Sequence, residues 1–154
     1  MQTSRVPAAV DALLAIVRAR PALAEVSIVD GPSAVNVTDR RRIHIGWAPG
    51  AEQAVELQQE FNAAGARTRD ESFIISCFAE SRGGDKDMAF RRNEVFALVG
   101  EVEQALRGTD AAPTAPTLNG TVLWSELTAG NLMQSTSEGA NVGLAFSVSC
   151  RARI

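Results

Sequence analysis

Apolar residues recur at helical spacing near the start of the chain, where Val6, Val10, Leu13, Leu14 and Val17 share one face of a helix. Pro7 fits the first turn and Pro21 closes the exit. Arg18 and Arg20 put positive charge at the carboxyl end, where the helix dipole favours it. The pattern then changes to short strand-like runs. Residues 26–29 form one, stopped by Asp30-Gly31-Pro32. Residues 42–47 form another, with Ile43, Ile45 and Trp47 on one face and His44 on the other, less buried face.

Residues 52–61 carry helix formers, but Val55, Leu57 and Phe61 also keep strand alternation. With residues 62–65 as the turn, this stretch and residues 71–79 read as a long hairpin. The second arm is apolar on both faces near its middle, which predicts a central strand covered on both sides. A polar loop over residues 82–87 follows, and Asp87 or Asp85 can cap the next helix. That helix runs to about residue 107, with Met88, Val95, Val99, Val102 and Leu106 on one stripe. Its opposite face carries Ala89, Phe90, Asn93, Ala97 and Gly100, and a side chain such as Phe90 calls for a second packing partner, either the first helix or a neighbouring copy.

Gly108 and the Pro- and Ala-rich residues 111–116 end the helix as a short stiff linker, and Asn119-Gly120 turns the chain. Three strands are expected, at about residues 121–127, 132–137 and 142–154, punctuated by Gly130-Asn131 and Glu138-Gly139. The last alternates cleanly, with Val142, Leu144, Phe146, Val148, Cys150, Ala152 and Ile154 on one side. Fully extended it spans on the order of 40 Å, long for a domain of this size, so part of it is expected to project or to lie under a neighbour.

The 154 residues fit one domain, 1–154, and 45% hydrophobic content supports a real core. Fifteen basic against 18 acidic residues give a net charge of −3, which argues against a nucleic-acid protein built on an overall basic surface. One histidine, two cysteines and one lysine leave most metal, thiol and lysine chemistries without their residues. Cys77 and Cys150 sit in strand-like apolar stretches and read as reduced core thiols. No signal-peptide pattern and no spanning segment is visible, which makes the cytoplasm the default address. The glycosylation-like triplets at Asn36 and Asn119 then read as chance. There is no phosphate loop, dinucleotide turn or nucleophile elbow. His44 reads as structural or solvated, and Asp85 and Asp87 lack the remaining ligands of a calcium loop.

Arginine stands out: Lys86 is the single lysine, so 14 of the 15 basic residues are arginine. Codon usage in a GC-rich genome explains this, as does a role for guanidinium forks in protein contacts. Arg91 and Arg92 flank the apolar stripe of the second helix. Asp87 stands four residues before Arg91, so a local ion pair and a contact with another subunit are both open.

Several stretches together resemble the tail terminator family of long-tailed bacteriophages, particularly from phages of actinobacteria. They are Arg42-Ile-His-Ile-Gly46, Gly65-Ala-Arg-Thr-Arg-Asp-Glu71 running into Phe73-Ile-Ile-Ser-Cys77, and the helix from Asp87 through Arg91. Leu118-Asn-Gly-Thr-Val-Leu-Trp124, Gly130-Asn-Leu-Met-Gln134 and Phe146-Ser-Val-Ser-Cys-Arg-Ala-Arg153 continue the series. The resemblance runs in order over nearly the whole chain and rests on strand-and-turn patterns.

It implies an α+β fold, a mainly antiparallel sheet with two main helices packed against it, in a subunit of a six-membered ring. The ring would bind the end of a completed tail tube, halt its growth and offer a surface for joining the head. It implies no enzyme activity, cofactor or metal. The implied partners are other copies of the chain, the tail tube protein and a head-completion or neck protein, with no specific nucleic-acid sequence and no membrane. The implied location is the tail-neck junction of the virion, after assembly in the host cytoplasm. Phe90, Arg91, Arg92, Arg151 and Arg153 are the expected subunit contacts. Asp39, Arg40 and Arg41, with Arg82, Asp85, Lys86 and Asp87, are the expected tube contacts. Another neck connector, or a cytosolic ligand-binding domain, are the alternative readings.

Overall fold

The computed structural model describes residues 2–33, 39–136 and 138–154; the Asn36 triplet lies outside them. Helix α1 spans Val6–Arg18 and buries Ala9, Leu13, Leu14 and Val17, the face that the spacing selects. A short 3-10 turn at Pro21–Leu23 leads into β1 (Ser27–Asp30), which runs parallel to β2 (Arg41–Ile45). The ambiguous segment is a strand, β3 (Val55–Phe61), and pairs antiparallel with the long β4 (Arg69–Arg82) as the expected hairpin. Helix α2 (Met88–Leu106) returns over the sheet, and β5 (Trp124–Ser135) and β6 (Asn141–Arg153) complete it.

The sheet order is β1-β2-β4-β6-β5, with β3 sharing one edge of β4 with β2. β2 lies against residues 77–81 of β4 and β3 against residues 69–75. All pairings but β1–β2 are antiparallel, so the fold is α+β. Both helices cover one face. Phe73, Ile75, Cys77 and Ala79 of β4 and Leu144, Phe146, Val148 and Cys150 of β6 point into the core, each side chain contributing through the apolar area it removes from water. Cys77 and Cys150 are free and buried, and burial pushes both thiols up to about 12.

Four expectations are corrected. β6 does not project: β4 pairs it along its whole length on one edge and β5 pairs it on the other. β5 is one strand where two were expected. Gly130-Asn131 makes a bulge, with a register shift between Ala129 and Leu132, and glycine suits the position because a Cβ there would stand 3.0 Å from the Ala145 carbonyl oxygen. The other expected break, at Glu138-Gly139, is a turn, where φ is +61° and +101°. β4 is central but covered by helices on one face only: on the other face Ile74 is 42% exposed.

The fourth correction concerns His44 and Trp47. Gly46 takes a φ of +83°, which breaks the alternation and turns Trp47 to the face opposite Ile43 and Ile45. There its ring lies 4.8 Å from His44 and 5.8 Å from Phe78. His44 is consequently 1% exposed, and its Nδ1 lies 3.0 Å from the Gly31 carbonyl oxygen.

Candidate functional site

The amino end of α2 is organised by two carboxylates with separate tasks. Asp87 caps the helix, its Oδ1 accepting the Phe90 amide at 3.0 Å. Arg91 pairs elsewhere than the four-residue spacing indicates: with Asp85 at 3.1 Å and Glu94 at 3.5 Å, and with the Ser81 hydroxyl at 3.5 Å. Arg91 is only 8% exposed, with the Phe90 ring 5.0 Å from its guanidinium. Gly83 makes room for it: a Cβ there would overlap the Arg91 guanidinium. Arg91 thus moves from the expected subunit surface to the interior, where it ties the 83–87 loop to the helix.

Phe90 itself is 53% exposed, and Arg92 donates to the Gln134 Oε1 at 2.8 Å, fastening α2 over β5. The expected loop residues come together at this end of the sheet. Arg82 donates to the Asp39 carbonyl and its amide to the Arg40 carbonyl, while Arg41 reaches Glu94 at 3.4 Å and Glu25 at 3.8 Å. Arg40, Asp85, Lys86 and Asp87 are exposed there. Arg151 and Arg153 lie at the opposite end, on the face of the sheet away from the helices, sharing Asp70 at 3.3 and 2.7 Å. The sequence-selected residues therefore form two separate groups.

The helix-free face of the sheet is itself divided. Its upper half is closed by His44, Trp47 and Phe78 and by the Arg42–Glu80 ion pair. Burial works to raise the Glu80 carboxyl, but His44 3.9 Å away and the Arg42 charge outweigh it and hold the group below its usual range. The lower half is a four-strand platform of β3, β4, β6 and β5 that leaves Ile74 and Trp124 exposed. On the helix side of the same strand edge Leu57 and Phe61 of β3 are exposed, and Leu132 and Met133 are exposed near the other end of β5. These residues were missed as candidates, although the Val55, Leu57, Phe61 alternation already marked an apolar strand face.

Asp70 and Asp85 are likewise held below the usual carboxylate range, chiefly by hydrogen bonds from Arg153 and Arg91 respectively. Depressed folded-state values mean that the unfolded chain takes up protons first. The stabilisation from Asp70, Glu80 and Asp85 is complete at neutral pH and is lost as pH falls from about 4 through the folded-state values. Denaturant melts at pH 7 and pH 3 are expected to show lower stability at pH 3, with a shallower pH slope for Asp70→Asn.

Among the described residues no group of three or more His, Cys, Asp or Glu side chains could hold a metal ion, and no helix is long and apolar enough to cross a membrane. A groove of about 570 Å³ between the ends of the two helices and the linker is lined largely by Ala15, Ile16, Pro21, Ala105, Ala112 and Pro113. No protein-family model matches the chain, and no curated protein matches it.

Proposed function

We propose that the protein is a ring-forming tail terminator: copies join head to tail, cap the end of a phage tail tube, stop its growth and present a surface to the head. One observation carries this reading. β3 and β5 are the two unpaired edges of the lower platform, among the described residues, and they lie level on opposite sides of it. Glu56, Ile74, Ser149 and Glu126 fall in one cross-strand row. Such edges are templates for strand addition, and different edges meeting between copies make the heterologous contact a ring requires.

The order of the family-like stretches along the chain supports the same reading, as do the exposed Phe90 and the arginine-rich loops gathered at one end. Mixing the purified protein with the cognate tail tube protein tests it: tubes are expected to end in a cap and to stop lengthening. Binding to a head or neck component with no effect on tube length would favour another connector role. Phe90→Ala is expected to change monomer stability by no more than about 1 kcal/mol, as for an exposed side chain, while weakening capping in the same tube assay.

A further inference from the structure

We infer that the joint between copies is an antiparallel pairing of β3 from one with β5 from the next, in a single register that places Leu57 opposite Leu127; this rests on the ring reading above. Direction comes first. β3 runs against β4, β4 against β6 and β6 against β5, so β3 and β5 run oppositely. Copies related by rotation about an axis moderately tilted from the strands keep these directions, and their edges meet antiparallel, staggered by an amount the tilt sets.

Hydrogen-bond parity comes next. The Ser76 amide donates to the Ala54 carbonyl and the Asn62 amide to the Thr68 carbonyl, so the even-numbered residues of β3 bond inward to β4. Val55, Leu57, Gln59 and Phe61 therefore turn their backbone groups to the free edge. Arg69 and Ile154 exchange both of their bonds, so the even residues of β6 face β4 and the odd ones face β5. The partners of those odd residues are Trp124, Glu126 and Thr128, which leaves the backbone groups of Ser125, Leu127 and Ala129 outward. The two edges fit odd to odd.

Strand overlap and side chains then choose among the registers that this parity allows: a shift by two in the opposite sense sets only Val55 and Glu56 against residues of β5. With the platforms level, Glu56 stands directly opposite Glu126, and like charges across a strand pair repel. A shift of four residues from level in the same sense puts Glu60 opposite Glu126. The register between them, shifted by two, pairs Gln58 with Glu126, Glu56 with Thr128 and Glu60 with Trp124. On the helix side it sets Leu57, 48% exposed in the single subunit, against Leu127, and brings Phe61, 66% exposed, opposite Leu123 just before β5. A two-residue stagger is also the kind of shear that closing a sheet requires.

Leu57 and Leu127 would form a hydrogen-bonded pair, with Cα atoms about 5.5 Å apart, within disulfide reach. Inside one chain they are three strand spacings apart, roughly 14 Å, and cannot be bridged. The double variant Leu57→Cys/Leu127→Cys leaves Glu56, Glu60 and Glu126 in place to set the register; mildly oxidised with tube protein present, it should give a non-reducing ladder of covalent multimers. Val55→Cys/Leu127→Cys, the level pair, and Gln59→Cys/Leu127→Cys, the pair shifted by four, should cross-link at least about tenfold less, and thermal melts check that all three fold. Preferential cross-linking of either alternative pair would overturn the register. Monomers from all three, while light scattering shows the unmodified protein as a multimer, would overturn the β3–β5 joint and leave the ring reading standing. A chain that stays monomeric even with tubes would overturn both.

Discussion

Arg91→Glu is expected to destabilise the protein by about 3 kcal/mol or more, because breaking a buried ion pair strands the remaining charges. The guanidinium is buried against Gly83 and holds Asp85, Glu94 and Ser81. A glutamate there would stand beside two carboxylates, with Arg41 on Glu94 the one cation left close by. Asp85 is half exposed and can turn to water, and Glu94 keeps Arg41, so much of the effect falls on the new buried carboxylate and on the 83–87 loop. Denaturant melts measure it: a large fall in midpoint is expected, with Arg91→Lys recovering part of the loss. An unchanged midpoint combined with loss of assembly would instead make Arg91 a subunit contact.

Leu57→Pro is expected to abolish assembly, a loss of at least about 100-fold in association, because Pro removes an edge donor and cannot extend the ladder. The Leu57 amide points away from β4, so the intrachain pairing keeps its bonds and the monomer still folds. Gln58→Pro is the matched control. Its amide bonds inward to β4, so it is expected to weaken the monomer as well. Circular dichroism for folding and light scattering for mass separate the two. Equal assembly by Leu57→Pro and the parent chain would rule out the β3 edge as a joint.

The core was legible because burial follows periodicity. The α1 stripe, the β3–β4 hairpin and the α2 stripe all fall where apolar spacing puts them. What escaped was decided by single residues that break a period. Gly46 rotates Trp47 across the sheet, and Gly130 bends β5 without turning it. The partner of Arg91 was hidden because Asp85 stands six residues before it in a loop, outside any helical spacing. The exposed edge residues were hidden for a different reason: a strand face left open has the same apolar alternation as one covered by its own chain, as Leu57 and Phe61 illustrate.

Electron microscopy of tail tube protein assembled with and without this chain bears most directly on the proposed terminator role. Tubes of bounded length, each carrying a ring-shaped cap at one end, are the expected result when the chain is in excess. Tubes that keep lengthening, with bare ends at the same excess, would contradict it.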